Sequence, residues 1–237
     1  MLRERLAFEL ELEAAPLAAL ETYQMAEPGN LVAAADDAGG IVALLKDERR
    51  NAFLIGPGSG LNARTRDSVL AVLAGCRCAV LDADALTVFA EDPKVLFAAI
   101  RSPVLMTPHE GECRRLCPEL GEGASKGERG REAARRSGAV VLLKGPATVV
   151  AEPSGASRVI TAGDERLATA GTGDVLAGLC GSLLAQQWPA WEAALGSVWL
   201  HGAAADRMVT EGLGPRGITA GELLPYVRLA LNQLAAI

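Results

Sequence analysis

Short runs of apolar residues recur along the middle of the chain, and each run ends in polar or glycine residues. The clearest four lie at 52–55, 79–81, 104–106 and 140–143. Helical segments separate them, such as the stretch at 65–73. Continuous apolar runs of this length, bounded by turn residues and alternating with helices, are typical of strands buried in a parallel sheet. The pattern therefore predicts an α/β fold with a central, mostly parallel sheet flanked by helices.

A hairpin follows the fourth run. The segments TVVA at 148–151 and RVIT at 158–161 flank the sequence EPSG, in which proline, serine and glycine are turn formers. We therefore expect the sheet to gain an antiparallel edge near 148–161.

Helical patterns account for most of the remaining chain. Helices are predicted at 1–27, 41–45, 176–187, 191–209 and 219–234, and a short strand at 31–35. Thr219 and Glu222 have the spacing of a capping box at the start of the last helix. Because the sequence contains no internal repeat and no low-complexity linker, we expect a single domain over residues 1–237.

Composition narrows the classes of function. The chain has 237 residues, of which half are hydrophobic, and its net charge is −6 without a basic cluster, so nucleic acid is not an expected partner. No apolar span approaches the length of a membrane helix, and the N-terminal residues lack the apolar core of a signal peptide. We therefore expect a cytoplasmic protein without a membrane partner.

The cysteines and histidines do not form a metal-binding pattern. The five cysteines are Cys76, Cys78, Cys113, Cys117 and Cys180. Neither close pair has CxxC spacing, and the only histidines are His109 and His201. This favours reduced cysteines packed as small hydrophobic side chains over a zinc site. His201, among apolar neighbours in a predicted helix, is interpreted as a satisfied core histidine.

The sequence ATAGTGDVLAG at 168–178 carries the strongest chemical signal. Glycines let consecutive backbone N–H groups of Gly171, Thr172 and Gly173 point into one concavity, an anion hole at the start of a helix. Asp174 then lies in the first helical turn. An anion pocket beside a carboxylate suits phosphoryl transfer to a hydroxyl group. Alternatively, this is a glycine turn with Asp174 as an ordinary helix cap.

All four predicted parallel strands end in polar or glycine-rich sequences. These are GPGSG at 56–60, DAD at 82–84, TPHEGE at 107–112 and KGPAT at 144–148. In open α/β sheets ligands bind in the crevice outside the carboxyl ends of the strands. The sequence therefore predicts that these four loops converge on one site.

With these motifs in this order, the chain resembles the ribokinase-like superfamily and, more closely, the ADP/ATP-dependent NAD(P)H-hydrate dehydratases. TPHEGE and KGPAT distinguish that family from sugar kinases, and the resemblance extends from about residue 15 to the end. It implies a three-layer fold and the use of ADP or ATP with Mg²⁺. The implied substrates are the hydrated cofactors NADHX and NADPHX, whose added hydroxyl is phosphorylated and then lost as phosphate. The family also implies a homo-oligomer, with a tetramer favoured.

The resemblance also implies roles for individual residues. The nucleotide-binding residues it implies are Lys144, Gly145, Pro146, Ala147, Thr148 and Gly173. The substrate-binding residues it implies are Gly58, Gly60, His109 and Asp174, with Asp174 as the catalytic base. Asp82, Asp84 and Glu112 are candidates to hold a magnesium–phosphate complex through water.

Simpler interpretations remain open for several of these residues. His109 alternatively caps a turn, and Lys144 at a strand end is alternatively solvated. Asp82 and Asp84 are alternatively helix N-caps, with Asp84 the better candidate because Ala-Leu follows it.

The chain departs from the family at its front. Relatives carry a Gly-rich substrate loop of the form GGxxGMxGA there, whereas residues 1–14 are a divergent, charged segment. The fused epimerase domain common in the family is also absent. We therefore expect an intact nucleotide half of the site and a defective substrate half. Two other functions remain open: a small-molecule kinase of the thiazole or pyrimidine type, and a nucleotide-binding protein without turnover.

Overall fold

The computed structural model describes residues 38–121, 123–162 and 167–235, in which a six-stranded sheet lies between helices. The helix expected at 1–27, the strand expected at 31–35 and the divergent segment at 1–14 lie outside the described residues.

The strands follow one another across the sheet in chain order. They are β1 (Phe53–Ile55), β2 (Ala79–Leu81), β3 (Val104–Met106), β4 (Val140–Leu143), β5 (Thr148–Ala151) and β6 (Ser157–Ile160). The first four are parallel, and β5 and β6 are antiparallel to their neighbours. Both the parallel sheet and the antiparallel edge hairpin are confirmed.

Helices connect the strands and then close one face of the sheet. The helix α1 (Ala38–Leu45) precedes β1. Between the strands lie α2 (Ala63–Gly75), α3 (Asp84–Thr87), α4 (Pro93–Ala99), α5 (Glu110–Leu116) and α6 (Lys126–Ser137). After the hairpin come α7 (Thr172–Ala185), α8 (Ala190–Thr210) and α9 (Ala220–Ala235). The predicted helices that fall within the described residues are confirmed apart from their ends. The largest difference is that α7 begins at Thr172 rather than at residue 176, because the glycine turn leads directly into the helix.

The two faces of the sheet support two separate hydrophobic cores. Side chains alternate along each strand, so that Val80 and Leu142 pack against α7, α8 and α9, whereas Leu81 and Leu143 pack against the connecting helices. All four are fully buried. A parallel sheet covered on both faces explains why its strands are apolar at every position. The expected three-layer α/β fold is confirmed.

The cysteines are free, as predicted, and serve as packing residues. Burial raises the pKa of Cys180 to about 12, of Cys117 to about 12 and of Cys113 to about 11. These thiols therefore stay protonated at neutral pH. In the part of the chain that the structure describes, no helix is long and apolar enough to span a bilayer.

Because two leucines differ in burial, we expect their replacement by alanine to lower the free energy of unfolding by very different amounts. Leu142 in β4 is fully buried, whereas Leu213 is 52% exposed. Leu142→Ala removes buried methyl groups and leaves a cavity, which we expect to lower the free energy of unfolding by about 2–5 kcal/mol.

Chemical denaturation followed by circular dichroism measures this effect, and Leu213→Ala is the matched control, with an expected change of about 0.5 kcal/mol or less. Equal destabilisation by the two substitutions would contradict the described packing.

Candidate active site

The loops that follow β1, β2, β3 and β4 meet at one edge of the sheet. The Gly60 N–H donates to Asp84 Oδ2 at 2.7 Å, which joins the first two loops. The Lys144 N–H donates to the Pro108 carbonyl at 2.8 Å, which joins the last two. The Lys144 side chain reaches back to Asp82. The predicted convergence of the four strand ends is confirmed.

An ion pair between Asp82 and Lys144 lies at the centre of this edge. Lys144 Nζ is 2.6 Å from Asp82 Oδ1, and the side chains are 21% and 2% exposed. A carboxylate as buried as that of Asp82 requires a partner, because its desolvation is otherwise strongly unfavourable. Lys144 is therefore held in place by Asp82 rather than extending freely into solvent, so the solvated alternative for Lys144 is wrong.

The ammonium group of Lys144 lies beside the first turn of α7. A Cβ added to Gly173 would stand 3.7 Å from Lys144 Nζ. The N-terminus of a helix carries a partial positive charge, so a lysine there adds to a positive region instead of neutralising it. Asp82 offsets part of this charge. The remaining field favours an anion between Lys144 and α7.

Backbone geometry exposes the N-terminus of α7 to a ligand. Gly171 is the N-cap residue, with φ of 86°, a left-handed conformation that glycine adopts without strain. Thr172 is buried, and its hydroxyl is 2.6 Å from the Leu167 carbonyl and 2.7 Å from the Thr169 carbonyl. No side chain of the described residues caps this helix. The Thr172 N–H donates to the Thr169 carbonyl at 3.2 Å, whereas the Gly173 N–H has no such partner among the described residues and is available to an anion.

Asp174 occupies the predicted position in the first turn of α7 and is exposed. The interpretation of Asp174 as an ordinary helix cap is wrong, because Gly171 is the N-cap and the Asp174 carboxylate makes no capping hydrogen bond. The carboxylate is therefore accessible from solvent beside the glycine turn, and its role as a base stays a prediction.

Asp82 and Asp84 shape the GPGSG loop. A side chain at Gly56 would overlap the Asp82 carbonyl, so this glycine lets the loop rest on the end of β2. Asp84 is the first residue of α3 rather than its N-cap, which is Ala83. The interpretation of Asp84 as an N-cap is therefore wrong: its carboxylate accepts the Gly60 N–H across the loops. Gly58, by contrast, has open space around it.

His109 and Glu112 form a capping box at the start of α5. His109 Nδ1 accepts the Glu112 N–H at 3.2 Å, and Glu112 Oε2 accepts the His109 N–H at 2.8 Å. The capping alternative for His109 is thus correct. The ring is nevertheless 54% exposed, whereas Glu112 is 6% exposed. Since Nδ1 accepts, the neutral ring carries its proton on Nε2, which lies 3.5 Å from Glu112 Oε1.

Lys126 is a residue of the site that the sequence analysis missed. It lies in the first turn of α6, and its Nζ donates to the Ala147 carbonyl in the KGPAT loop. A Cβ added to Gly145 would overlap this ammonium group, and burial lowers the pKa of Lys126. Thr148 Oγ1 also donates to the Gly145 carbonyl, at 3.2 Å. The loop is therefore held both internally and from α6. No sequence pattern joins Lys126 to a loop this far along the chain.

His201 differs from the expected satisfied core histidine. Its side chain lies in α8 and is buried, but Nε2 has no hydrogen-bond partner among the residues the structure describes. Burial lowers the pKa of His201 to about 4, an effect that the ring's interaction with the Thr172 backbone partly opposes, so the ring is neutral at neutral pH. A buried polar atom without a partner costs about 1–3 kcal/mol.

The three acidic candidates for magnesium binding each make another contact. Asp82 pairs with Lys144, Asp84 accepts from Gly60, and Glu112 belongs to the capping box of α5. Over residues 38–121, 123–162 and 167–235, no three histidine, cysteine or acidic side chains come together as a metal cluster. A magnesium ion here would be held mainly by phosphates and water. The role of these carboxylates in metal binding stays a prediction.

Comparison with known proteins places these features in a family. The family model described as NAD(P)H-hydrate dehydratase matches residues 13–225. The chain is 40% identical over 205 residues to the ADP-dependent (S)-NAD(P)H-hydrate dehydratase of Neisseria meningitidis, covering 81% of this chain and 67% of that protein. It is 41% identical over 187 residues to the bifunctional NAD(P)H-hydrate repair enzyme of Moorella thermoacetica, covering 76% of this chain. The match spans 34% of that bifunctional protein.

Solved structures show the same similarity. The ADP/ATP-dependent NAD(P)H-hydrate dehydratase from Bacillus subtilis, co-crystallised with ATP/Mg²⁺, superposes with a TM-score of 0.70 at 30% identity. The match covers 82% of this chain and 70% of that one. Hydroxyethylthiazole kinase from Pyrococcus horikoshii has a TM-score of 0.63 at 20% identity, which indicates a shared fold alone.

Because Asp82 and Lys144 form a buried ion pair, we expect substitutions of the two residues to have strongly non-additive effects on stability. Lys144→Met leaves the Asp82 carboxylate buried without a partner, and we expect the free energy of unfolding to fall by about 3 kcal/mol or more. Adding Asp82→Asn to this variant removes the unpaired charge and should recover part of the loss. Denaturant titration of the single and double variants measures the coupling.

Arg114→Met is the matched control, because Arg114 pairs with Glu110 on the surface at 57% and 48% exposure. We expect it to change stability by about 1 kcal/mol or less. If Lys144→Met were no more destabilising than Arg114→Met, the buried pair would not hold the site together.

Proposed function

The chain belongs to the NAD(P)H-hydrate dehydratase family, and from this premise we propose that it restores NADHX and NADPHX to NADH and NADPH, using ADP or ATP with Mg²⁺. The observation that carries the proposal is the juxtaposition of Lys144 with the uncapped N-terminus of α7, where Asp174 lies in the first turn. This arrangement provides a phosphate site and a proton acceptor side by side.

The nucleotide phosphates are proposed to lie between the KGPAT loop and α7. Lys144 supplies positive charge, and Gly145 allows the loop to adopt its close packing beside Lys126. Pro146, Ala147 and Thr148 continue the loop. The Gly171–Gly173 turn supplies the N–H groups of its two glycines, since the Thr172 N–H already donates to the Thr169 carbonyl. The bound nucleotide provides the phosphoryl group that makes the added hydroxyl a leaving group.

Asp174 is proposed to act as the general base. Its carboxylate accepts the proton of the substrate hydroxyl while the hydroxyl oxygen forms its bond to phosphorus. The bond from that phosphorus to the bridging oxygen of the nucleotide breaks at the same time, so that AMP leaves from ADP, or ADP from ATP. When the C–O bond breaks, phosphate departs with its electron pair, and loss of a proton from the adjacent carbon restores the ring double bond. Lys144 and the N-terminus of α7 stabilise the negative charge that shifts onto phosphate oxygens during both steps.

The hydrated nicotinamide is proposed to lie beside the GPGSG and TPHEGE loops. The defective substrate half expected from residues 1–14 stays a prediction, because those residues lie outside the described structure. Gly58 leaves open space for a ring to approach, and Asp84 fixes the loop through the Gly60 N–H. His109 offers the exposed part of a ring that its capping box orients, with Nε2 3.5 Å from Glu112 Oε1. These are short-range, neutral contacts of the kind that orient a cofactor without competing with Asp174 for its proton.

The cellular setting is proposed on more general grounds. Five free cysteines suit the reducing environment of the cytoplasm, which is the location we propose. A net charge of −6 gives no support to a nucleic-acid partner. Self-association, with a tetramer favoured, stays a prediction that sedimentation velocity tests.

Replacement of the proposed base tests the chemistry. Asp174→Asn keeps the size of the side chain but removes the proton acceptor, so we expect turnover to fall by on the order of 10²–10⁴ with ADP affinity unchanged. The rate at which the absorbance of reduced nicotinamide returns from NADHX measures turnover. Asp67→Asn, at an exposed position on α2, is the matched control. Turnover of Asp174→Asn within a factor of about three of the unmutated protein would refute the assignment.

Obstruction of the KGPAT loop tests the nucleotide site. A valine at Gly145 would displace Lys126 from the Ala147 carbonyl and block the approach of phosphates, so we expect the dissociation constant for ADP to rise about tenfold or more. Isothermal titration calorimetry measures the affinity. Gly123→Val, on a loop with open space around it, should leave ADP affinity unchanged. Unchanged ADP binding by Gly145→Val would mean that the nucleotide binds elsewhere.

A further inference from the structure

Lys126 is the first residue of α6, and helix formation does not explain a lysine at this position. The N-terminus of a helix carries a partial positive charge, so a cation there is electrostatically unfavourable. The helix already has a capping box, in which the Ser125 N–H donates to Glu128 and the Glu128 N–H donates to the Ser125 hydroxyl. The reason for the lysine therefore has to lie in what its ammonium group contacts.

The ammonium group of Lys126 contacts the KGPAT loop, which joins β4 to β5. Nζ donates to the Ala147 carbonyl, and it also occupies the space in which a side chain on Gly145 would stand. The lysine is half-buried, and this burial lowers its pKa, as expected for an ammonium group packed against main chain. Glycine at 145 and lysine at 126 are thus a matched pair, because a Cβ on the first would overlap the second.

The first turns of α6 give this contact a fixed base. Gly130, one turn beyond Lys126, packs closely on β5, where a Cβ added to it would be 3.1 Å from Val149 Cγ1. Arg129 donates to two main-chain carbonyls of the connection that precedes the helix, at 3.2 and 2.8 Å. Because α6 is tied both to β5 and to this connection, the ammonium group has a defined position beside the loop.

The loop gains from such a contact because its own bonds lie mainly at one end. Its first residue, Lys144, is anchored by the ion pair with Asp82. Within the loop the Thr148 hydroxyl donates to the Gly145 carbonyl at 3.2 Å, whereas Pro146 has no N–H to donate. Gly145 and Pro146 are exposed. The contact from α6 therefore fixes the half of the loop that the ion pair does not reach.

We propose that Lys126 is a positioning residue for nucleotide binding, which holds the KGPAT loop in its binding conformation through Gly145 and Ala147. The proposal rests on the proposed function in taking this loop as part of the nucleotide site. Without the ammonium group the loop samples other conformations, and the dissociation constant rises in inverse proportion to the fraction of molecules in the binding conformation. A loop that adopts this conformation in about one molecule in ten binds about tenfold more weakly.

Two substitutions of Lys126 and one control test this role. Lys126→Met keeps most of the stem and removes the donor, and Lys126→Arg keeps a cation with donors. Lys94→Met is the matched control, since Lys94 also lies in the first turn of a helix, α4, but is exposed. The measurements are hydrogen–deuterium exchange at 145–148 in the nucleotide-free protein, ADP affinity by calorimetry, the melting temperature, and kcat with the KM values for ADP and NADHX.

A positioning role predicts a specific pattern for Lys126→Met. The amides at 145–148 should exchange about tenfold faster without nucleotide, and the dissociation constant and KM for ADP should rise about tenfold. The KM for NADHX and kcat at saturating ADP should change by about threefold or less. Lys126→Arg should recover part of the ADP affinity. The melting temperatures should stay within about 3 °C of the unmutated protein, and Lys94→Met should match that protein throughout.

A double-mutant cycle with Gly145→Ala tests the contact itself. In the unmutated background the new Cβ overlaps Lys126 Nζ, whereas Lys126→Met removes that atom. The strain of alanine at a φ of 154° is present in both backgrounds and cancels in the cycle. We therefore expect Gly145→Ala to weaken ADP binding about tenfold in the unmutated protein, and by about threefold or less in combination with Lys126→Met.

Several results would overturn the proposal. If the unmutated protein binds ADP and Lys126→Met binds it within a factor of about three, the positioning role fails while the proposed function stands. Faster exchange at 145–148 with unchanged ADP affinity also overturns it, because the loop would then be held for another purpose. Weaker ADP binding with unchanged exchange in the nucleotide-free protein would make Lys126 a direct ligand instead. If the unmutated protein does not bind ADP, the proposed function and the positioning role both fail.

Discussion

The buried ion pair between Asp82 and Lys144 is the interaction on which the arrangement of this site depends. The two residues follow β2 and β4, so their contact crosses the end of the intervening strand β3 and ties three loops together. Because Asp82 is almost inaccessible to water, the pair cannot separate without leaving a buried charge. The same aspartate supports the GPGSG loop through its carbonyl, against which Gly56 packs.

One consequence of this pair is the unusual placement of a lysine beside the N-terminus of α7. The helix and the ammonium group repel one another slightly, and a dianionic phosphate between them would relieve that repulsion. A phosphate site at this position would thus be organised before the phosphate binds. Such preorganisation is what electrostatic stabilisation of a phosphoryl-transfer step requires, since no charge has to be moved into place during the reaction.

Much of the fold could be predicted because its signals are local. The apolar runs at 79–81, 104–106 and 140–143 are the strands themselves, and the EPSG turn marks the hairpin. Parallel strands bring their carboxyl ends to one edge, which is why convergence of the four loops followed from the order of the elements. The glycine turn before Asp174 was also recognisable, since its residue types are dictated by backbone geometry.

The remaining features depend on contacts between residues far apart in the sequence. Neither Lys126 at the Ala147 carbonyl nor Asp84 at the Gly60 N–H belongs to a periodic pattern, and local capping preference assigned Asp84 the wrong role. His201 looked like any core histidine, because the sequence does not reveal whether a buried nitrogen finds a partner. The same types of polar residue serve as helix caps and as nucleotide ligands, and only the tertiary structure shows which role a given residue has.

The central claim is that this positive pocket directs a phosphoryl group to a substrate hydroxyl whose loss regenerates the reduced cofactor. The most direct test adds ADP and Mg²⁺ to NADHX with the purified protein and follows both the absorbance of reduced nicotinamide and the release of inorganic phosphate. The account predicts that absorbance returns only when nucleotide is present, with one phosphate released for each cofactor restored. Accumulation of a stable phosphorylated product, or return of absorbance without nucleotide, would contradict it.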